Sequence, residues 1–182
     1  MKLVPYEQLT IRTSLSPEDA IKRIRENVEP ERHFRGWGPS EKPYQGDVLP
    51  SAFLITRIIQ YSNSFLPIIR GYIQPDVNGS VIRIMMRPRV RVLLFMVFWL
   101  SLAGLGFLFT LGLFVNPSLQ AINLNKEPSS PILILIPAGL LVYGYLLFYG
   151  GFKVESVKSK KFFYELLQAN QVEELELVDL IK

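Results

Sequence analysis

Catalysis needs reactive side chains held close together, and this chain offers few. His33 is the single histidine and cysteine is absent. That removes thiolate nucleophiles, cysteine-bound metals and disulfides, and it leaves no HExxH motif and little basis for a Ser-His-Asp arrangement. His33 reads as a plain loop residue. Glu18, Asp19, Asp47 and Asp76 fall in turn or cap contexts, where carboxylates hydrogen-bond to nearby backbone. No pair among them is placed for acid–base work. Arg35-Gly36-Trp37-Gly38-Pro39 has two glycines but lacks the strand-loop-helix setting of a phosphate cradle. Arg35 and Trp37 are instead candidates for a docking loop. No catalytic residue, cofactor or metal is expected.

Basic residues carry the stronger signal. The net charge is +4 and the pI about 9.3. Arg83, Arg87, Arg89 and Arg91 precede one long uncharged stretch, and Lys153, Lys158, Lys160 and Lys161 follow a second. They form no separate basic arm, so nucleic acid is not the expected partner. An anionic membrane surface is, because each basic residue near such a leaflet contributes about 1 kcal/mol. The odd-numbered arginines also share one face of the strand-like run 80–87 if alternation is strict, making that face basic.

The elements that must position these residues follow from periodicity and punctuation. Leu9 to Thr13 alternates as a strand. Ser16-Pro17-Glu18-Asp19 opens a helix, with Ser16 as cap, Pro17 at the first position and acids at the positive end of the dipole. Ala20, Ile21, Ile24 and Val28 continue it at helical spacing. Residues 29–50 contain Pro30, Gly36, Gly38, Pro39, Pro43, Gly46 and Pro50 and are expected to be mostly irregular. Runs 52–60, 66–74 and 80–87 predict an antiparallel meander, broken at 61–64 and at 75–79, where Asn78-Gly79 is a strong hairpin cue.

Val92 to Val115 carries no charge and spans roughly 36 Å as a helix, enough for a hydrocarbon core of about 30 Å. Pro131 to Gly151 is a second such span, with Pro137 expected to kink its first turns. The two form a transmembrane hairpin joined by residues 116–130. Basic residues flank its outer ends against Lys126 alone in that loop, which places both termini in the cytoplasm. No secretory leader is read at the N-terminus. Neither span holds an ionisable residue, which argues against a self-contained transporter or channel. Gly104, Gly106, Gly112, Gly139 and Gly144 form a candidate helix-packing face, for the hairpin itself, a second copy or another membrane protein. Phe162, Phe163, Leu166 and Leu167 mark a third, amphipathic helix that packs on the sheet or lies on the membrane. Glu173, Glu174 and Glu176 close the chain as an acidic tail.

The segment from Phe53 to Ile73, with Asn78-Gly79, the basic strand, the Phe- and Met-rich first span and Glu155 to Phe162, resembles a family of small bacterial membrane proteins, frequent in cyanobacteria, to which no activity is assigned. The resemblance covers most of the chain from Gln45 onward and implies a bacterial inner or thylakoid membrane. The order strand, helix, meander and closing helix is also similar to helix-grip or pleckstrin-like domains, whose curved sheets hold a lipid tail or a peptide.

The expected fold is therefore an α+β membrane protein: a cytoplasmic domain over 1–91, a hairpin over 92–151, and a cytoplasmic helix and tail over 152–182 that packs on the first domain. The expected function is a non-catalytic accessory or scaffold module binding a protein partner or lipid. One alternative is a lipid or small-molecule handling enzyme with a pocket at Asp47, Arg57 or Arg70. The other is a subunit of a transport complex.

Overall fold

The computed structural model describes residues 4–31, 41–116 and 132–169, with the backbone of 171–174. In chain order the elements are β1 (Glu7–Thr13), α1 (Pro17–Glu26), β2 (Val28–Glu29), β3 (Tyr44–Val48), β4 (Ala52–Arg57), β5 (Ile68–Asp76), β6 (Gly79–Arg87), α2 (Val90–Val115), α3 (Ile132–Leu166) and β7 (Gln171–Glu174). They divide into two compact units, one formed by 1–89 with 151–182 and the other by 90–150.

The first unit is α+β. Its described strands form one seven-stranded sheet in the order β2-β3-β4-β5-β6-β1-β7. β3 to β6 are a meander of antiparallel neighbours, β1 lies antiparallel on β6, and β2 pairs with β3 in parallel. At the β5–β6 hairpin Asp76 pairs with Gly79 across Val77 and Asn78. Gly79 has φ +137°, and a Cβ there would lie 2.1 Å from the Thr13 carbonyl oxygen, so only glycine fits.

Within 29–50, expected to be mostly irregular, the described strands are the end of β2 and the five residues of β3. Pairing with β4 and burial of Tyr44 outweigh the poor strand propensity of Gln45-Gly46-Asp47. Within the acidic tail Glu173 and Glu174 belong to β7, opposite Thr10 and Leu9, while Glu176 lies outside the described residues.

Alternation sorts the sheet into two faces. One carries the core, with Leu9, Ile11, Phe53, Ile69, Ile84 and Met86 at 1% exposure or less. Ser16 caps α1, its Oγ accepting from the Asp19 amide at 3.1 Å, and α1 lays Ala20, Ile21 and Ile24 on this face. The remainder is covered by the last four turns of α3 and the residue after them, which bury Phe152, Phe163 and Leu167. Each such side chain contributes about 1.5–3 kcal/mol of burial.

The amphipathic segment expected as a third helix is continuous with the second apolar helix in α3. Gly150-Gly151 does not break it. Each glycine costs only about 1 kcal/mol in a helix, and close packing makes residue 151 useful as glycine: a Cβ there would meet the Phe65 ring at 2.9 Å. Asn63 also donates its side-chain N–H to the Gly151 carbonyl at 3.2 Å.

In the second unit, α2 has 26 residues and extends for about 39 Å. Two helices, α2 and α3, are long and apolar enough to cross a membrane, and only 11% and 6% of their most apolar windows are buried. A core helix of a globular domain would be covered by its neighbours. Between the two, Gly144 approaches Trp99, where a Cβ would lie 2.9 Å from the indole nitrogen, and Gly106 faces Pro137 at 3.9 Å. A Cβ at Gly104, Gly112 or Gly139 would meet nothing within 4 Å, so the five glycines do not make one packed face within the unit.

Candidate functional site

On the inner face of the sheet, burial follows a heptad-like stripe along α3: Phe152, Glu155, Ser156, Ser159, Lys160, Phe163 and, just past its end, Leu167. Several members are polar, so this helix docks by ion pairs as well as by apolar contact.

Glu155 is fully buried. Its carboxylate accepts from Arg57 at 2.8 Å, from Lys158 at 3.0 Å and from the Tyr61 hydroxyl. Arg57 ends β4, Tyr61 stands in the loop after it, and Lys158 is one turn along α3. Burial pushes the Glu155 carboxyl up, but hydrogen bonds from Tyr61, Lys158 and Arg57 outweigh it and hold the group below its ordinary value. The Tyr61 hydroxyl, then Glu155, raises the Lys158 ammonium. Tyr44, paired with Arg57 across β3 and β4, is buried, which pushes its phenol up. Its hydroxyl neighbours that of Ser159, but neither meets hydrogen-bond geometry with any described group.

A second carboxylate, Glu7 on β1, receives Lys153 at 2.5 Å and Lys160 at 2.8 Å. Burial raises the Glu7 carboxyl, the two ammonium groups lower it by more, and the net direction is down. At its far end α3 is held by Arg23, which donates to the Leu166 carbonyl at 3.2 Å, and by Thr13, whose hydroxyl donates to the Leu167 carbonyl at 2.6 Å. Carbonyls at a helix C-terminus have no partner within the helix, so these bonds complete the dock.

Of the four lysines expected at a membrane surface, three keep exposed side chains and Lys160 is buried. Lys160 is 7% exposed and held by Glu7. Lys153 and Lys158 are engaged by Glu7 and Glu155, and Lys161 is the open one, 3.9 Å from Glu165. The arginines also separate. Arg83 and Arg87 are exposed on the outer face of β6, whereas Arg89 lies in the connection to α2 and Arg91 in the first turn of that helix, off the sheet. His33, Arg35 and Trp37 lie outside the described residues.

The outer face was only partly legible. Strand register places Asp47, Leu54, Arg70, Met85 and Gln8 in one row, and Ala52, Tyr72, Arg83 and Thr10 in the next. Ile68 and Arg87 pair in a third. Arg70, opposite Met85, is thus the diagonal neighbour of both Arg83 and Arg87, at roughly 7–8 Å. Arg70 adds to the basic face that Arg83 and Arg87 predict, and the even-numbered alternation of β5 carries the signal. Leu54 and Tyr72 are 41% and 42% exposed. Arg12, also outward, pairs with Asp76 at 3.6 Å, but Arg70, Arg83 and Arg87 form no ion pair among the described residues.

Asp47, Arg57 and Arg70 do not line one cavity. Asp47 and Arg70 face outward, and Arg57 faces inward onto Glu155. Among the described residues no three His, Asp or Glu side chains gather as a metal site. Comparison of the chain with protein-family models and with curated proteins finds no match.

Proposed function

We propose that this protein is a membrane-anchored, non-catalytic accessory or scaffold module, whose α+β unit binds a protein partner or lipid on the cytoplasmic side of a bacterial inner or thylakoid membrane. One observation carries the reading: the two faces of the sheet have opposite fates. The inner face is covered by α1 and α3, and its carboxylates Glu7 and Glu155 are held in ion pairs. The outer face has three arginines without an ion-pair partner among the described residues, beside half-exposed Leu54 and Tyr72. That composition suits binding rather than catalysis.

Membrane anchorage rests on the two long, outwardly apolar helices and cytoplasmic placement on the basic residues at both flanks. Because the chain lacks cysteine, single cysteines introduced at Val77 and at Val157 report sidedness directly. Both should react with an impermeant maleimide only from the cytoplasmic side. Labelling from opposite sides would refute a hairpin. Purification of the full chain from native membranes in mild detergent, with mass spectrometry of proteins and lipids, tests the binding role. A stoichiometric protein or an enriched lipid supports it; the chain alone, with neither, overturns it.

A further inference from the structure

Resting on the reading of this chain as a binding module, we propose that the outer face of β4, β5 and β6 seats a carboxylate-rich segment of a partner protein, held by Arg70, Arg83 and Arg87. The register makes these three a triangle. Arg83 and Arg87 are four residues apart on one strand, about 13 Å, and Arg70 stands diagonal to both at roughly 7–8 Å, with Met85 between them. Three guanidinium groups so placed repel one another, and no described acid pairs with any of them. Asp47, the nearest acid of the same row, is separated from Arg70 by Leu54. Register sets Glu173 of β7 in the row of Arg83, beyond Thr10, and among the described side chains the triangle is a positive charge that an incoming anion relieves.

The composition favours a protein carboxylate over a lipid headgroup. Bilayer-binding clusters typically hold four to eight basic residues, Lys and Arg alike. Among the described residues this face has three without an ion pair, all arginine, whose planar fork matches a carboxylate with two parallel hydrogen bonds. Arginine, tyrosine and methionine are the residues enriched at protein interfaces, and Tyr72 and Met85 stand within the same rows. Size decides the form of the partner. Three strands at about 4.8 Å spacing by five or six residues at about 3.4 Å give a patch of about 15 by 20 Å. That is well below the roughly 800 Å² per partner of a domain–domain interface and fits a single extended or helical segment.

A photoreactive benzophenone amino acid in place of Tyr72, in the full chain in its native membranes, tests this. The expected result is a protein adduct whose cross-linked peptide, sequenced by mass spectrometry, is rich in Asp and Glu. Its yield should fall at least tenfold in the R70Q/R83Q/R87Q variant and remain in K161Q, which removes an exposed charge elsewhere. The substituted side chains are on the outer face, and an unchanged unfolding temperature of the triple variant confirms that the sheet is intact. A phospholipid adduct, a protein adduct on a segment without acids, an adduct of undiminished yield in the triple variant, or no adduct overturns the proposal. If a stoichiometric partner co-purifies with the triple variant as well as with the natural chain, this seat is wrong and the binding role stands. If neither a partner nor a lipid co-purifies with the natural chain, the binding role itself falls.

Discussion

Replacing Glu155 by glutamine should loosen α3 from the sheet. The carboxylate is sealed from water and joins three donors from three places: β4, the following loop and α3 itself. Hydrogen bonds to a charged group contribute about 1.5–3 kcal/mol, and removing one partner of a buried ion pair costs about 3–5 kcal/mol. Here the remaining cations reach solvent, Arg57 being 29% and Lys158 45% exposed, so water takes over part of the lost interaction. Glutamine also keeps the shape and one acceptor. The net loss at neutral pH is then about 2 kcal/mol, or roughly 8 °C in midpoint for a domain of about a hundred residues. Denaturant titration of the full chain in mild detergent, read by pulse proteolysis, measures it. A cycle with Arg57→Gln should show coupling of about 1.5 kcal/mol. The acid limb supplies a second test. Because the folded-state carboxyl is held below its ordinary 4.5, its contribution is complete above that pH and is lost as pH falls through the lowered value. The gap between natural chain and variant should therefore close in acid. A loss under about 0.5 kcal/mol, additive effects in the cycle, or a gap independent of pH would refute the reasoning.

Gly71→Ala should cost about 2–3 kcal/mol, because its Cβ would stand 2.0 Å from the Phe53 ring, and Phe53→Leu in the same chain should restore part of that loss in a denaturant titration. Glu7→Gln should remove about 2 kcal/mol at neutral pH by leaving the nearly buried Lys160 without its carboxylate. Since the Glu7 carboxyl is also held below its ordinary value, that difference should shrink as pH falls through it, which titrations at several pH values will read. In the hairpin, Gly144→Leu should lower resistance to SDS unfolding by about 1–2 kcal/mol through collision with Trp99, whereas Gly139→Leu, facing open space, should change it by less than about 0.5 kcal/mol.

Several features of the fold need only local information and were therefore legible in the chain. The uncharged runs that became α2 and most of α3 exceed the length of an ordinary core helix. The Ser16-Pro17 start of α1 is written in neighbouring residues. Alternation predicted the meander strands to within two or three residues, and with them the opposed faces of β6.

What escaped depends on partners distant in sequence. β3 has weak strand chemistry and exists because β4 offers its edge; β7 exists because β1 does. The lysines after the second span look alike in sequence, yet Glu7, more than 140 residues away, pairs with two of them and buries Lys160. Glu155 belongs to the same class. Its place on the stripe of Phe152, Ser159 and Phe163 marks it as inward-facing, but the arginine and tyrosine that make a buried carboxylate tolerable come from β4 and the loop beyond. The arginine triangle was half visible: periodicity within β6 aligns Arg83 and Arg87, while only strand register brings Arg70 between them. By itself, the sequence determined the long apolar helices, the meander and the excess of positive charge, because hydrophobic length, period and composition act locally. Only the tertiary structure decided which charges are neutralised and which are left free, because ion pairing depends on proximity that chain distance does not encode.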